Sequence, residues 1–166
     1  MRKIAILIFS ITIVCVFVFQ RYLIKHKKEI EINTKSIPPT QLKTIENHSI
    51  NLKNENGKYH FLFFFNTECE HCQAEAVLLQ KHLLEFQKAE ITFISIEPLQ
   101  NIKAFANKYQ LINQPSITFC HIEPDVLGKQ FGSIGFPTIF IYNPQNELVK
   151  KYVGETKIEA LTKYLQ

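Results

Sequence analysis

Apolar positions fall into two regimes along the chain. From Ile4 to Phe19 the run is uninterrupted by charge, with only Ser10 and Thr12 polar. Counted on to Ile24 it reaches about 20 residues, enough for a helix to cross roughly 30 Å of hydrocarbon. No small-x-small site follows this apolar core, which favours an uncleaved anchor over a cleaved signal peptide. The next stretch is charged and then carries Ser36-Ile37-Pro38-Pro39, the composition of a tether. The organisation expected is a transmembrane anchor over 1–24, a linker over 25–36 and a folded domain over 37–166.

Within the domain the pattern changes to short segments divided by turns. Leu42 to Leu52 alternates weakly around Asn47-His48, as a short hairpin does, and Asn54-Glu55-Asn56-Gly57-Lys58 reads as a turn. His60 to Phe65 is apolar on both faces, the mark of a central strand covered on each side. The segment after Cys72 has a helical stripe at Ala76, Leu79, Leu83 and Phe86. Ile91 to Ile96 is a second strand rich in β-branched and aromatic residues, and Pro98 opens a helix with Ile102, Phe105, Ala106 and Tyr109 on one face. Ser116–Phe119 is a short strand, and Glu123-Pro124-Asp125 starts a brief helix ending near Phe131. Phe136-Pro137 then leads into the strand Thr138–Tyr142, and Asn143–Asn146 turns the chain into a last strand over Glu147–Val153. The final helix is expected from Thr156, with Glu159 completing a capping box, and buries Ile158, Leu161 and Leu165. The order of elements gives an α/β fold: a central mixed sheet flanked by helices, its parallel part first and an antiparallel hairpin last.

Composition adds limits. The chain has 166 residues and a net charge of +4, and its lysines and glutamates are scattered, so nothing points to nucleic acid. Several of its cations flank the apolar N-terminus: Arg2 and Lys3 before it, Arg21, Lys25, Lys27 and Lys28 after it. Charge bias alone would keep the following domain on the inner side of the membrane. Of four cysteines, Cys15 lies in the apolar run, which leaves the close pair Cys69 and Cys72 and a separate Cys120. That is too few for a disulfide scaffold and fits a redox or metal pair plus a buried small side chain.

The chemistry concentrates in Asn66-Thr67-Glu68-Cys69-Glu70-His71-Cys72-Gln73-Ala74-Glu75. Thr67 as cap and Glu70 as its partner would start a helix there, placing both cysteines where free N–H groups and the helix dipole favour thiolates. Cys69, nearer the terminus, is the natural attacking thiol and Cys72 the resolving one. Protonated His71 can stabilise the Cys69 thiolate, while Glu68 and Glu70 oppose it, so the direction of electron flow stays open. Glu75 falls on the buried stripe, where desolvation should raise its pKa and let it exchange a proton with Cys72. No bound cofactor is needed beyond the Cys69–Cys72 pair. The competing class is a copper or zinc carrier using Cys69, Cys72 and one histidine; a structural zinc site lacks two further ligands at any familiar spacing. A peroxidase is disfavoured, because Thr67 stands two residues before Cys69 where Thr-x-x-Cys would require three.

Cys69-Glu70-His71-Cys72-Gln73-Ala74-Glu75, with Phe136-Pro137-Thr138 downstream, resembles the thioredoxin fold. More narrowly, from about Ile37 onward the chain is similar to the TlpA/ResA-like membrane-anchored thiol-disulfide oxidoreductases. The resemblance implies a cis Pro137; if that loop faces the dithiol, the Phe136 backbone could pair with an extended substrate segment. It implies that Cys69 attacks, Cys72 resolves and Glu75 tunes the resolving thiol. It also implies a single-pass protein of the bacterial inner membrane whose domain faces the periplasm. There it would reduce protein disulfides, including those of apocytochrome c, and exchange electrons with a membrane donor or acceptor. The chain departs from the pattern at Glu68, where an aromatic residue is usual, at His71, where proline is frequent, and at Phe63, where thioredoxin buries an acid; it has no Trp.

Overall fold

The computed structural model describes residues 2–53 and 57–165, the side chains of residues 2–7 and 10 excepted. Most of the turn expected at Asn54–Lys58 therefore lies outside the described residues. Seven strands form one mixed sheet: β1 Thr40–Thr44, β2 Ser49–Leu52, β3 Tyr59–Phe64, β4 Ala89–Ser95, β5 Ile117–His121, β6 Thr138–Tyr142 and β7 Leu148–Val153. They lie in the order β2-β1-β5-β4-β3-β6-β7. The three central strands β3, β4 and β5 are parallel; β1, β2, β6 and β7 add antiparallel hairpins at the two edges. Parallel neighbours require crossovers. These are supplied by α2 Glu70–Lys81 and α3 Leu83–Phe86 after β3, and by α4 Leu99–Lys108 after β4. Helices α5 Pro124–Phe131 and α6 Ile158–Thr162 complete the domain, and α1 Arg2–Asn33 precedes it.

The two-sided apolarity of β3 decides the layering. Phe61 and Phe63 face a core shared with Ala76 and Leu79 of α2, Ile102, Phe105 and Ala106 of α4, and Ile158 and Leu161 of α6. Leu62 and Phe64 face the opposite core, with Leu127 and Phe131 of α5, Cys120, Phe140 and Tyr142. Phe93 is stacked between Phe63 at 4.9 Å and Phe119 at 4.7 Å, with Phe65 edge-on at 5.5 Å. Cys120 is fully buried in the second core, and burial pushes its thiol up to about 12, so it behaves as the small apolar side chain expected.

Three expectations are corrected. The stripe Ala76-Leu79-Leu83-Phe86 is divided between two helices, α2 ending at Lys81 and α3 starting at Leu83. The charged stretch expected as a tether is helical as far as Asn33, since its Lys and Glu residues favour helix and no Gly or Pro interrupts it before Pro38. Thr34 and Lys35, just past the helix, dock on the β6–β7 hairpin: Tyr142 Oη donates to Thr34 O at 3.2 Å and Leu148 N donates to Lys35 O at 2.8 Å. Gly132, in the left-handed region at φ +77°, lets this helix come close, because a Cβ there would meet Ile30 at 3.2 Å. The final helix is capped at Lys157 without a side-chain hydrogen bond, so the capping box expected of Thr156 and Glu159 does not form.

Among the described residues no helix is long and apolar enough to cross a membrane. The expected span begins at Ile4, so its first residues lie outside the described side chains.

Candidate active site

The parallel strands end together at one edge of the sheet, and the loop from β3 into α2 lies there. Cys69 caps α2: its Sγ accepts from Cys72 N at 3.4 Å. This displaces the capping box expected from Thr67 and Glu70. Thr67 is committed elsewhere, its N–H donating to Glu97 Oε2 at 2.7 Å and its hydroxyl to Glu97 Oε1 at 2.9 Å. Ser95 at the end of β4 also donates to Glu97 Oε2, at 3.3 Å. Gln73 Nε2 returns to Thr67 O at 2.8 Å, so the dithiol loop is tied to α2 and to the β4–α4 loop.

The two thiols are free and differ sharply in exposure. Cys69 is half-buried and its Sγ donates to Phe136 O at 3.7 Å. Cys72 is 2% exposed, and burial, followed by its contact with Cys69, holds its pKa far above the ordinary thiol value. The Phe136–Pro137 peptide is cis, as expected, and stands against the Cys69 sulfur. Gly154 N donates to Pro137 O at 2.9 Å, which joins this loop to the chain after β7.

Glu75 is 5% exposed, on the buried stripe as its spacing predicts. Burial raises its pKa to about 7; the Thr156 N–H, donating to Oε1 at 3.0 Å, pulls the other way, and the charge of Glu155 adds to the rise. A carboxyl with that pKa can take or give a proton at neutral pH.

The hydrogen-bond partner of His71 is Glu155. Its exposed ring donates from Nδ1 to Glu155 Oε2 at 2.8 Å. Among the described residues no group of three or more His, Cys, Asp or Glu side chains is placed to hold a metal ion. Reasoning from sequence missed Glu97, Glu155 and the N–H of Thr156. Glu97 left one signal: it follows β4, whose C-terminal end lies beside that of β3 in a parallel sheet.

The AhpC/TSA family matches residues 34–157 of the chain. The thiol-disulfide oxidoreductase ResA of Bacillus thuringiensis subsp. konkukian is 26% identical over 151 residues, covering 89% of this chain and 84% of the relative. In three dimensions the chain is similar to MTB DsbF, with a TM-score of 0.66 at 18% identity, covering 80% of this chain and 94% of that one. It is also similar to a secreted Mycobacterium tuberculosis disulfide oxidoreductase homologous to E. coli DsbE. There the TM-score is 0.64 at 17% identity, over 76% of this chain and 94% of that one.

Proposed function

The chain belongs to the AhpC/TSA family, and from that premise we propose that it is a membrane-anchored thiol-disulfide oxidoreductase that reduces disulfides in proteins outside the cytoplasm. The observation that carries this reading is the graded burial of Cys69, Cys72 and Glu75, an accessible sulfur backed by a buried thiol and a carboxyl with a pKa of about 7. The Cys69 thiolate attacks a substrate disulfide, forms a mixed disulfide and releases one substrate thiolate. Cys72 passes its proton to the Glu75 carboxylate and attacks Cys69. The Cys69–Cys72 disulfide forms, the second substrate thiolate leaves, and two electrons have passed to the substrate. Phe136 O lies within reach of Cys69, so an extended substrate segment would lie along this loop.

Anchoring has its support in α1. Its large apolar side chains between Ile8 and Ile24 are 49–67% exposed, a surface that water does not favour and hydrocarbon would cover. Full-length chain retained in the membrane pellet after carbonate extraction is the expected result; release into the supernatant overturns the anchor without touching the chemistry. For the chemistry, the purified protein should reduce insulin, and Cys69→Ser should abolish the reaction. Activity that survives the substitution sinks the reading. Apocytochrome c is the specific substrate to assay next.

A further inference from the structure

An imidazolium two residues after the attacking cysteine would favour its thiolate, stabilise the reduced form and make the pair more oxidising. In this chain the ring has a carboxylate partner. His71 Nδ1 donates to Glu155 Oε2 at 2.8 Å, and the side chains are 65% and 55% exposed. The Cys69 sulfur has other neighbours, Cys72 N at 3.4 Å and Phe136 O at 3.7 Å.

Glu155 does not approach by chance. Gly154 before it donates to Pro137 O at 2.9 Å, and Thr156 after it donates to Glu75 Oε1 at 3.0 Å. Gly154 takes φ +85°, a left-handed conformation that glycine adopts without strain. The Glu155 backbone is thus fixed at both neighbours to the proline loop and to the buried carboxyl, and its side chain reaches the first turn of α2. We propose that Glu155 is a positioning residue that withholds His71 from the Cys69 thiolate, so that the Cys69–Cys72 pair favours its disulfide form and acts as a reductant. Apart from the His71–Glu155 pair, the charges next to Cys69 in sequence are those of Glu68 and Glu70, both exposed and both opposing a thiolate.

The inference rests on the dithiol chemistry proposed above, and a double-mutant cycle separates the two. The reaction measured is reduced protein plus oxidised glutathione giving the Cys69–Cys72 disulfide plus two reduced glutathiones, two electrons passing from protein to glutathione. Its equilibrium constant is measured at one fixed pH, about 6, within the range where histidine acts as a switch. The four proteins are the wild type, His71→Ala, Glu155→Gln and the double variant. His71→Ala should change the constant less than about twofold when Glu155 is present. In the Glu155→Gln background the same substitution should favour the disulfide by about two- to fivefold, the scale of one cation near a helix terminus. The direct effect of removing the Glu155 charge is common to both arms of that comparison and cancels. Equal effects in both backgrounds, or a larger one with Glu155 present, overturn the inference while leaving the oxidoreductase reading intact. A wild-type pair that does not equilibrate with glutathione at all takes both down.

Discussion

Thr156 donates its backbone N–H to Glu75 Oε1 at 3.0 Å across 81 residues of sequence, and this contact joins the loop before α6 to the buried carboxyl of α2. The N–H favours the ionised carboxyl while burial and the Glu155 charge disfavour it, and burial wins, leaving the pKa at about 7. Glu75→Gln should therefore remove a limb near pH 7 from the pH–rate profile of disulfide reduction, with a several-fold loss of rate above it. Stopped-flow rates from pH 5 to 9 test this; a profile identical to wild type would leave Glu75 no part in moving the proton of Cys72.

The same carboxyl makes stability depend on pH. Its ordinary value is 4.5 and its folded value about 7, so between them the folded chain holds more protons than the unfolded one. Stability then falls as pH rises through that interval, by roughly 3 kcal/mol in all. His60 does the opposite. Its Nε2 pairs with Thr92 Oγ1 at 2.8 Å, and burial lowers its pKa from 6.5 to about 4. There the unfolded chain holds more protons, and stability rises with pH by a similar amount. Across pH 4.5–6.5 the two slopes should nearly cancel. Urea denaturation of wild type should be almost level over that range, Glu75→Gln should become more stable with rising pH, and His60→Gln less. Parallel curves for all three proteins would contradict the assignment.

Glu97 receives the Thr67 N–H, the Thr67 hydroxyl and the Ser95 hydroxyl, and so fixes the loop that delivers Cys69. Glu97→Gln keeps the shape but removes the charge that strengthens these bonds. A loss of about 1–3 kcal/mol is expected, within the range for hydrogen bonds to charged groups and for partners left unpaired. The rate of disulfide reduction should fall with it. Urea midpoints and insulin turnover measure the two effects, and a variant unchanged in both would make the contact dispensable.

The pattern of the chain reveals those parts of this molecule whose partners are apolar or close in sequence. Apolar runs place β3 and β4 and stripe spacing places α4, because burial of Phe63 or Phe105 is dictated by a face and not by one partner. The same logic puts Glu75 inside, since Cys72 and Leu79 share its side of α2. The two expected capping boxes fail for a common reason. Thr67 is taken by Glu97 and the Thr156 N–H by Glu75, acids brought near by sheet topology and invisible to a local rule. The acids near His71 in sequence are Glu68 and Glu70, whereas its partner in the fold, Glu155, arrives from beyond β7. The helical continuation of α1 to Asn33 is legible in propensity, but its charge and the prolines beyond it mimic a linker.

The aromatic stack tests the core independently of the site. Phe93 is 2% exposed and contacts Phe63, Phe65 and Phe119, so its truncation removes both buried area and ring contacts. Phe93→Ala should cost about 3–5 kcal/mol of unfolding free energy. Phe93→Leu, which fills part of the space, should cost less. Equal losses for the two would mean that packing volume at this position does not limit stability.

The proposed order of the two thiols rests on burial and can be trapped. Cys69 is half-buried with its sulfur beside Phe136 O, while Cys72 is 2% exposed behind it and held protonated. In Cys72→Ser the mixed disulfide formed through Cys69 has no neighbour to resolve it, so adducts with a disulfide-bonded protein should accumulate and disappear on adding reductant. In Cys69→Ser the remaining thiol is shielded from a protein substrate and lacks the ionised form that attacks. Non-reducing gels after incubation with insulin should therefore show adducts for the first variant and none for the second. Adducts on Cys69→Ser alone would reverse the assignment and make Cys72 the entry point for the substrate.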